Sequence, residues 1–152
     1  MKILVFSDSH GRLGTMVDAM EKEHPQRVFF LGDNYQDGKL LSECYPEVPF
    51  DLVKGNCDFC AGPDELTVEA EGVKFLLTHG HRYYVKSGTW RLPEAAKKVG
   101  AKMVCFGHTH EALNQPEDGI WLFNPGTAGG ICNRAGYGVL TVEGGQVRGD
   151  LR

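Results

Sequence analysis

Five short apolar runs in this chain are each followed, two or three residues later, by a side chain able to bind a metal ion. Phe6 leads to Asp8, Leu31 to Asp33, Val53 to Asn56, Leu77 to His79 and Phe106 to His108. Two of these positions carry a further ligand type two residues on, in Asp8-Ser9-His10 and His108-Thr109-His110. The set holds two carboxylates (Asp8, Asp33), four imidazoles (His10, His79, His108, His110) and one amide (Asn56). Seven ligands exceed what one zinc or magnesium ion with an open position takes, and they suit two ions sharing a bridging carboxylate. Mixed nitrogen and oxygen donors without thiolate favour divalent transition metals, manganese foremost with iron, nickel, cobalt or zinc, over calcium. A single Asp-x-His or His-x-His pair says little. The weight lies in five such positions in one short chain.

Ligands of this kind must be positioned by strands, because open α/β sheets build their sites just beyond strand carboxyl ends. The sequence supplies them. Ile3–Phe6 and Val28–Leu31 read as buried strands, Asp51–Val53 as a short third one and Met103–Phe106 as another. Leu13, Met16, Val17 and Met20 recur at helical spacing, as do Leu92, Ala95, Ala96 and Val99. Pro93 in the first turn and Gly100 just past the end mark that second helix, and Leu40, Leu41 and Cys44 mark a weaker one between. Glu71-Gly72 reads as a two-residue hairpin turn between Leu66–Ala70 and Val73–Thr78. From about Glu111 the chain is strand-rich, with strands at Ile120–Phe123, Gly138–Val142 and Gln146–Asp150. The pattern predicts βα units first and an antiparallel tail last. Gly32, Gly55, Gly80 and Gly107 stand beside the ligands, where tight turns and close backbone approach are needed.

Composition narrows the function classes. With 152 residues, 41% hydrophobic and 24% charged, residues 1–152 read as one globular domain. Sixteen basic against twenty acidic residues leave a net charge of -4, so no basic excess drives nucleic-acid binding, and no basic groove or aromatic platform is evident. No stretch is apolar enough to span a bilayer, and the start reads as no signal peptide, since Asp8 and His10 follow Ile3–Phe6 at once. Five cysteines without a secretory signal point to reduced thiols and a cytoplasmic protein. Cys57-x-x-Cys60 lacks a second half-site for zinc and a thioredoxin-like context.

In order along the chain stand D-S-H at 8–10, G-D at 32–33, G-N-C-D at 55–58, T-H-G-H at 78–81, G-H-T-H at 107–110 and N-P-G-T at 124–127. This ordered series resembles the calcineurin-like metallophosphoesterase superfamily, most closely its small YfcE-like phosphodiesterases, over essentially the whole chain. The resemblance implies a four-layer αββα sandwich, two mixed β-sheets flanked by helices, with metals at a strand-end edge. It implies one metal on Asp8, His10, Asp33 and His110, and a second on Asp33, Asn56, His79 and His108, with Asp33 bridging. Two divalent ions against Asp8, Asp33 and a bridging hydroxide leave a centre near about +1 that attracts a phosphate anion. Attack of that hydroxide on phosphorus then hydrolyses a phosphate ester.

The departures from the family carry information. Larger relatives have histidine after Gly-Asn in the third block, where it is thought to help protonate the leaving group; here Cys57 stands there, as is common in the YfcE-like subgroup. A thiol is a poor general acid beside a cationic site, which favours its thiolate. His81 is then the candidate proton donor, with Asp58 as its orienting partner, and Asn56 counts both as a ligand and as a residue the reaction needs. Weak leaving-group assistance predicts activated aryl esters as better substrates than alkyl ones. The run Gly32-Asp33-Asn34-Tyr35-Gln36-Asp37-Gly38 lacks the arginine of protein phosphatases, and its second aspartate, Asp37, is one place late. Arginine forks suit dianionic monoesters, so their absence tilts the reading to phosphodiesters, with Arg12, Arg82 and Arg134 as the arginines that could restore monoester binding. Asn124-Pro125-Gly126-Thr127 is expected to shape the pocket and His24 to be exposed. The leading expectation is a dinuclear phosphodiesterase acting on a small phosphoester. The alternatives are a phosphomonoesterase or nucleotidase of the same fold, and a non-catalytic protein-binding scaffold of the same fold, such as the retromer subunit with a similar fold. A homo-oligomer is compatible with all three.

Overall fold

The computed structural model describes residues 1–152. Strand β1 (Lys2–Phe6) is buried on both faces because its side chains alternate between two separate apolar layers. Ile3 and Val5 point into the space between two sheets, whereas Leu4 and Phe6 point to helices. Helix α1 (Gly14–Glu23) returns the chain to β2 (Arg27–Phe30), and α2 (Tyr35–Cys44) returns it to β3 (Phe50–Leu52). These three strands are parallel. The hairpin β4 (Glu65–Ala70) and β5 (Val73–Thr78) opens the second sheet, and α3 (Arg91–Val99) leads to β6 (Met103–Cys105), parallel to β5. β7 (Leu113–Glu117) and β8 (Ile120–Asn124) complete that sheet, while β9 (Gly138–Glu143) and β10 (Gln146–Leu151) join the first. The strand orders are β10-β9-β1-β2-β3 and β4-β5-β6-β8-β7.

The sheets stack face to face with helices outside, giving the expected four αββα layers. The middle layer packs Ile3, Val5, Phe29 and Leu31 of one sheet against Phe75, Leu77, Met103 and Phe123 of the other. Phe29 and Phe75 meet edge to face, 5.4 Å between centroids. Met16, Ala19, Met20 and Leu41 cover the first sheet, and Leu92 and Ala96 cover the second. Glu71 and Gly72 both have positive φ, as a tight hairpin of the primed type requires.

Three points of the sequence reading need correction. The tail is not simply antiparallel: β8 lies parallel to β6, and the chain then crosses to the first sheet, where β9 pairs antiparallel with β1. Strand β7 was not read as an element, because Leu-Asn-Gln-Pro-Glu lacks apolar alternation. Its place at a sheet edge tolerates Pro116, which has no N–H to donate. The third strand is Phe50–Leu52, one residue earlier than read, with Val53 buried just beyond it.

Candidate metal centre

The carboxyl ends of β1, β2, β3, β5 and β6 share one rim of the sandwich, and all seven sequence-derived ligands lie there. Six of them fall into two groups whose ligand atoms lie within 4.8 Å of one another: Asp8, His10 and His110, and Asp33, His79 and His108. His110 Nε2 lies 3.1 Å from Asp8 Oδ1 and 3.4 Å from His10 Nε2. His79 Nε2 lies 3.4 Å from Asp33 Oδ2, 3.2 Å from His108 Nδ1 and 3.1 Å from Asn56 Oδ1. Asp33 Oδ2 also lies 3.9 Å from His10 Nε2, so this carboxylate faces both groups.

The donor set fits cations rather than itself. Asp8 Oδ1 is fully buried and accepts no hydrogen bond, while its Oδ2 takes Ser7 Oγ at 2.6 Å and the His108 N–H at 3.1 Å. One oxygen of the carboxylate is therefore fixed by the protein and the other is left bare beside the imidazoles. His79 Nδ1 donates to the Leu31 carbonyl at 2.7 Å and His110 Nδ1 to the Ile131 carbonyl at 2.9 Å. Each bond sets the tautomer, so both Nε2 atoms present lone pairs to the same small space. Carboxylates and imidazole nitrogens brought this close cost free energy unless a proton or a cation lies between them.

The backbone is bent to make this convergence. Asp8, His10, Asp33, His108 and His110 all have φ between 47 and 71°, and they are five of the ten non-glycine residues in this left-handed region. Asp and His tolerate it better than most residues. Two glycines permit the close approach. A Cβ on Gly107 would stand 1.9 Å from Ser7 Oγ, and one on Gly55 would stand 2.0 Å from Asp33 Oδ1.

The charges respond to one another. Burial pushes the Asp33 carboxyl up, but the His79 hydrogen bond and charge, with the Cys57 N–H at 3.0 Å, hold it well below the usual range. Burial pulls His79 down, and the facing Asp33 and Asp8 carboxylates override it to raise the imidazole. His108 is pushed down to about 4 by burial and then by the His79 charge. Burial and the His79 charge likewise lower His81.

Asp58 is not where the sequence expectation put it. Its carboxylate accepts the Asp33 and Gly55 N–H groups at 2.9 and 2.8 Å and the Tyr35 N–H at 2.8 Å. It clamps the turn that carries Asp33, and it makes no hydrogen bond to His81. The reason is proximity: three free backbone donors at the β2 and β3 strand ends reach it first. His81 stands in a single 3-10 turn (His81–Tyr83), its ring 5.5 Å from His79 and 6.1 Å from His108, with a buried Nδ1 that has no partner.

The sequence reading also missed positioning residues. Asp37 accepts Ser9 Oγ and the Gly11 N–H, both at 2.7 Å, and so holds the turn that carries His10. Its displaced place in the second block was the available signal. Asn124 donates to the Gly107 carbonyl at 3.2 Å and to Thr109 Oγ1 at 3.0 Å, and Thr127 Oγ1 donates to the Asp8 carbonyl at 2.9 Å. The Asn-Pro-Gly-Thr loop thus ties the first and last ligand turns together, as its expected pocket-shaping place implies. Arg82 is drawn to Asp64 at 2.9 Å, whereas Arg134 lines a cleft beside His110. Cys57 and Cys60 belong to neither ligand group. Solvent loss and then the Asp33 charge push the Cys57 thiol up, opposite to the pull expected of a metal-loaded centre. His24 is exposed as expected.

Known proteins share this arrangement. Residues 1–145 match the calcineurin-like phosphoesterase superfamily domain. The chain is 34% identical over 146 residues to a Bacillus subtilis protein named Probable metallophosphoesterase YsnB, covering 94% of this chain and 85% of that one. It is 30% identical, over a 169-position alignment, to Phosphodiesterase YfcE of Escherichia coli, covering 92% and 87%. A zinc-complexed Vps29 structure from Entamoeba histolytica shares the fold at 20% identity and a TM-score of 0.79, covering 99% and 97%. The ligand-bearing strand ends and the match across nearly the whole length agree: this chain belongs to the calcineurin-like phosphoesterase superfamily.

Proposed function

We propose that residues 1–152 form one metallophosphoesterase domain that hydrolyses small phosphodiesters at a dinuclear centre. The observation that carries this reading is the pair of ligand groups facing a shared Asp33, with Asp8 Oδ1 buried and without a donor. These groups would hold two divalent ions, which would supply Lewis-acid charge and lower the pKa of a bound water. The protein's own residues do the rest. Asp33 spans both groups, and Asn56 offers Oδ1 to the one that holds His79. The Leu31 and Ile131 carbonyls keep His79 and His110 turned with Nε2 inward. His81 flanks the same group from the rim, its ring 5.5 Å from His79 and 6.1 Å from His108, and is the residue we assign to hand a proton to the leaving oxygen. Geometry supports that role only without Asp58, whose carboxylate is spent on backbone donors.

The diester preference rests on the absent arginine of the second block and on Arg82 being held by Asp64. Manganese is the first choice of metal, with iron, nickel, cobalt or zinc next, given nitrogen and oxygen donors without thiolate. The cytoplasm is the proposed compartment; no helix is long and apolar enough to cross a membrane. The test is metal analysis after loading, together with parallel assays on a bis-aryl phosphate diester and an aryl phosphate monoester. About two ions per chain and faster diester turnover are expected. Stable binding of no metal sinks the enzyme reading, and faster monoester turnover replaces the diesterase with a monoesterase.

A further inference from the structure

A cleft of about 530 Å³ opens beside the His110 end of the centre, its walls including His110, Glu111, Pro125, Asn133, Arg134 and Arg152. Three observations make it more than a surface dent.

Its wall is fixed to a ligand. Asn133 Nδ2 donates to the His110 carbonyl at 2.9 Å, and the Ile131 carbonyl accepts from His110 Nδ1 at 2.9 Å. Its floor is fixed to another. Ala135 pairs with Thr127 in an isolated bridge, the Gly136 N–H donates to the Thr127 carbonyl at 3.0 Å, and Thr127 Oγ1 holds the Asp8 carbonyl. The cleft is therefore built into the scaffold that positions Asp8 and His110.

Its charge runs against the chain's. Arg134 and Arg152 line it with one acid, Glu111, and Arg134 has no carboxylate partner, whereas the Arg152 charge also acts on Glu23, in a protein of net charge -4. Arg12 lies outside the cleft wall and donates to the Gly129 carbonyl at 3.2 Å. Among the other arginines, Arg27, Arg82 and Arg148 have acidic partners and Arg91 lies over Tyr84 and Trp90. An unpaired guanidinium group on a preformed wall is suited to phosphate oxygens.

We infer that this cleft holds the second arm of the diester, and that Arg134 selects substrates whose second arm carries a further phosphate. This rests on the phosphodiesterase reading above. The substrate class is then a phosphodiester with an additional anionic phosphate on the arm away from the leaving group, rather than a plain dialkyl or diaryl diester.

Two chromogenic esters with the same leaving group test it: thymidine 5′-(p-nitrophenyl phosphate) with and without a 3′-phosphate. On the manganese-loaded protein, kcat/KM is expected to favour the 3′-phosphorylated ester about tenfold, the worth of one charge-assisted contact. Arg134→Gln should bring that ratio close to one. Lys98→Gln, an equal charge loss on α3, should leave the ratio as in the wild type. A second readout needs neither metal nor turnover. Thymidine 3′,5′-bisphosphate added to the metal-stripped protein should shift the Ala135 and Gly136 amide resonances, with an affinity that Arg134→Gln weakens about tenfold. Equal kcat/KM for the two esters, a preference that survives Arg134→Gln, or amides that do not move would overturn the inference. If neither ester is cleaved while the bisphosphate still binds through Arg134, the phosphodiesterase reading fails and the anion site stands.

Discussion

At the amino ends of β1 and β2, the charged side chains are answered by partners. Lys2 Nζ reaches the Glu23 carboxylate at 3.2 Å, and Arg27 reaches Asp51 at 2.6 Å and the Glu69 carbonyl of the other sheet at 2.8 Å. At the carboxyl ends of the strands, two buried carboxylates and four imidazoles converge, five of the six on a backbone held in the left-handed region. One end of the sandwich uses polar groups to close the structure. The other keeps them poorly satisfied and relies on glycines, clamped turns and the Asn124–Thr127 loop to hold them in place. Stability and chemistry are therefore separable here, and substitutions at the two ends should move different measurements.

The sharpest separation comes from Asn56, an exposed residue whose loss leaves no core cavity. Asn56→Ala should reduce phosphoesterase turnover by at least about a hundredfold, beyond the effect usual for outer-shell partners. Its thermal midpoint without metal should barely change. Gly107→Ala should damage both ends of the comparison at once: the added Cβ meets Ser7 Oγ at 1.9 Å and displaces the hydroxyl that holds Asp8. A loss of about 1–3 kcal/mol in denaturant unfolding is expected. Adding Ser7→Ala should recover part of that stability and none of the activity.

At the opposite end, Arg27→Ala should cost about 1–3 kcal/mol, because the ion pair is mostly shielded and Asp51 loses its partner. Turnover should stay at the wild-type value; a large loss there would erase the contrast. Asp8→Asn reverses the sign. Its amide can donate where the bare oxygen had no donor, so the metal-free protein should gain about 1 kcal/mol, or roughly 2–4 °C in midpoint, while metal binding fails. The smallest effect concerns Glu23. Burial pushes its pKa up, but the hydrogen bonds from Lys2 and Tyr137 bring it below the ordinary value of 4.5. Its contribution is therefore fully present above that value and fades as pH falls through the lower folded-state pKa. Acid unfolding curves of wild type and Glu23→Gln should converge below that point, with the wild type more stable above it.

All seven candidate ligands were legible because five follow an apolar run by two or three residues and His10 and His110 stand two residues beyond Asp8 and His108, and strand ends turn such steps into a shared rim. Hairpins at Glu71-Gly72 and helix ends at Gly100 were legible for the same local reason. What escaped was long-range or conformational. Asp58 looked like a partner for His81 from its motif, yet backbone donors at Asp33 and Tyr35, 23–25 residues away in sequence, take it. Asp37 clamps a turn 26–28 residues before it. No spacing rule marks β7, whose polar residues and Pro116 make sense only at a sheet edge. The left-handed backbone at five ligands is set by convergence from both sheets, and single residues do not announce it.

The pairing of His10 with His110, 100 residues apart, has a consequence for how the protein is made. Asp8 and His10 leave the ribosome 100 residues ahead of the imidazole that completes their group, which follows about 5–20 s later at ordinary elongation rates. Strand β9, which covers the other edge of β1, comes later still. During synthesis the Asp8-Ser9-His10 motif of the proposed centre is thus open and half-built until His110 and β9 follow it.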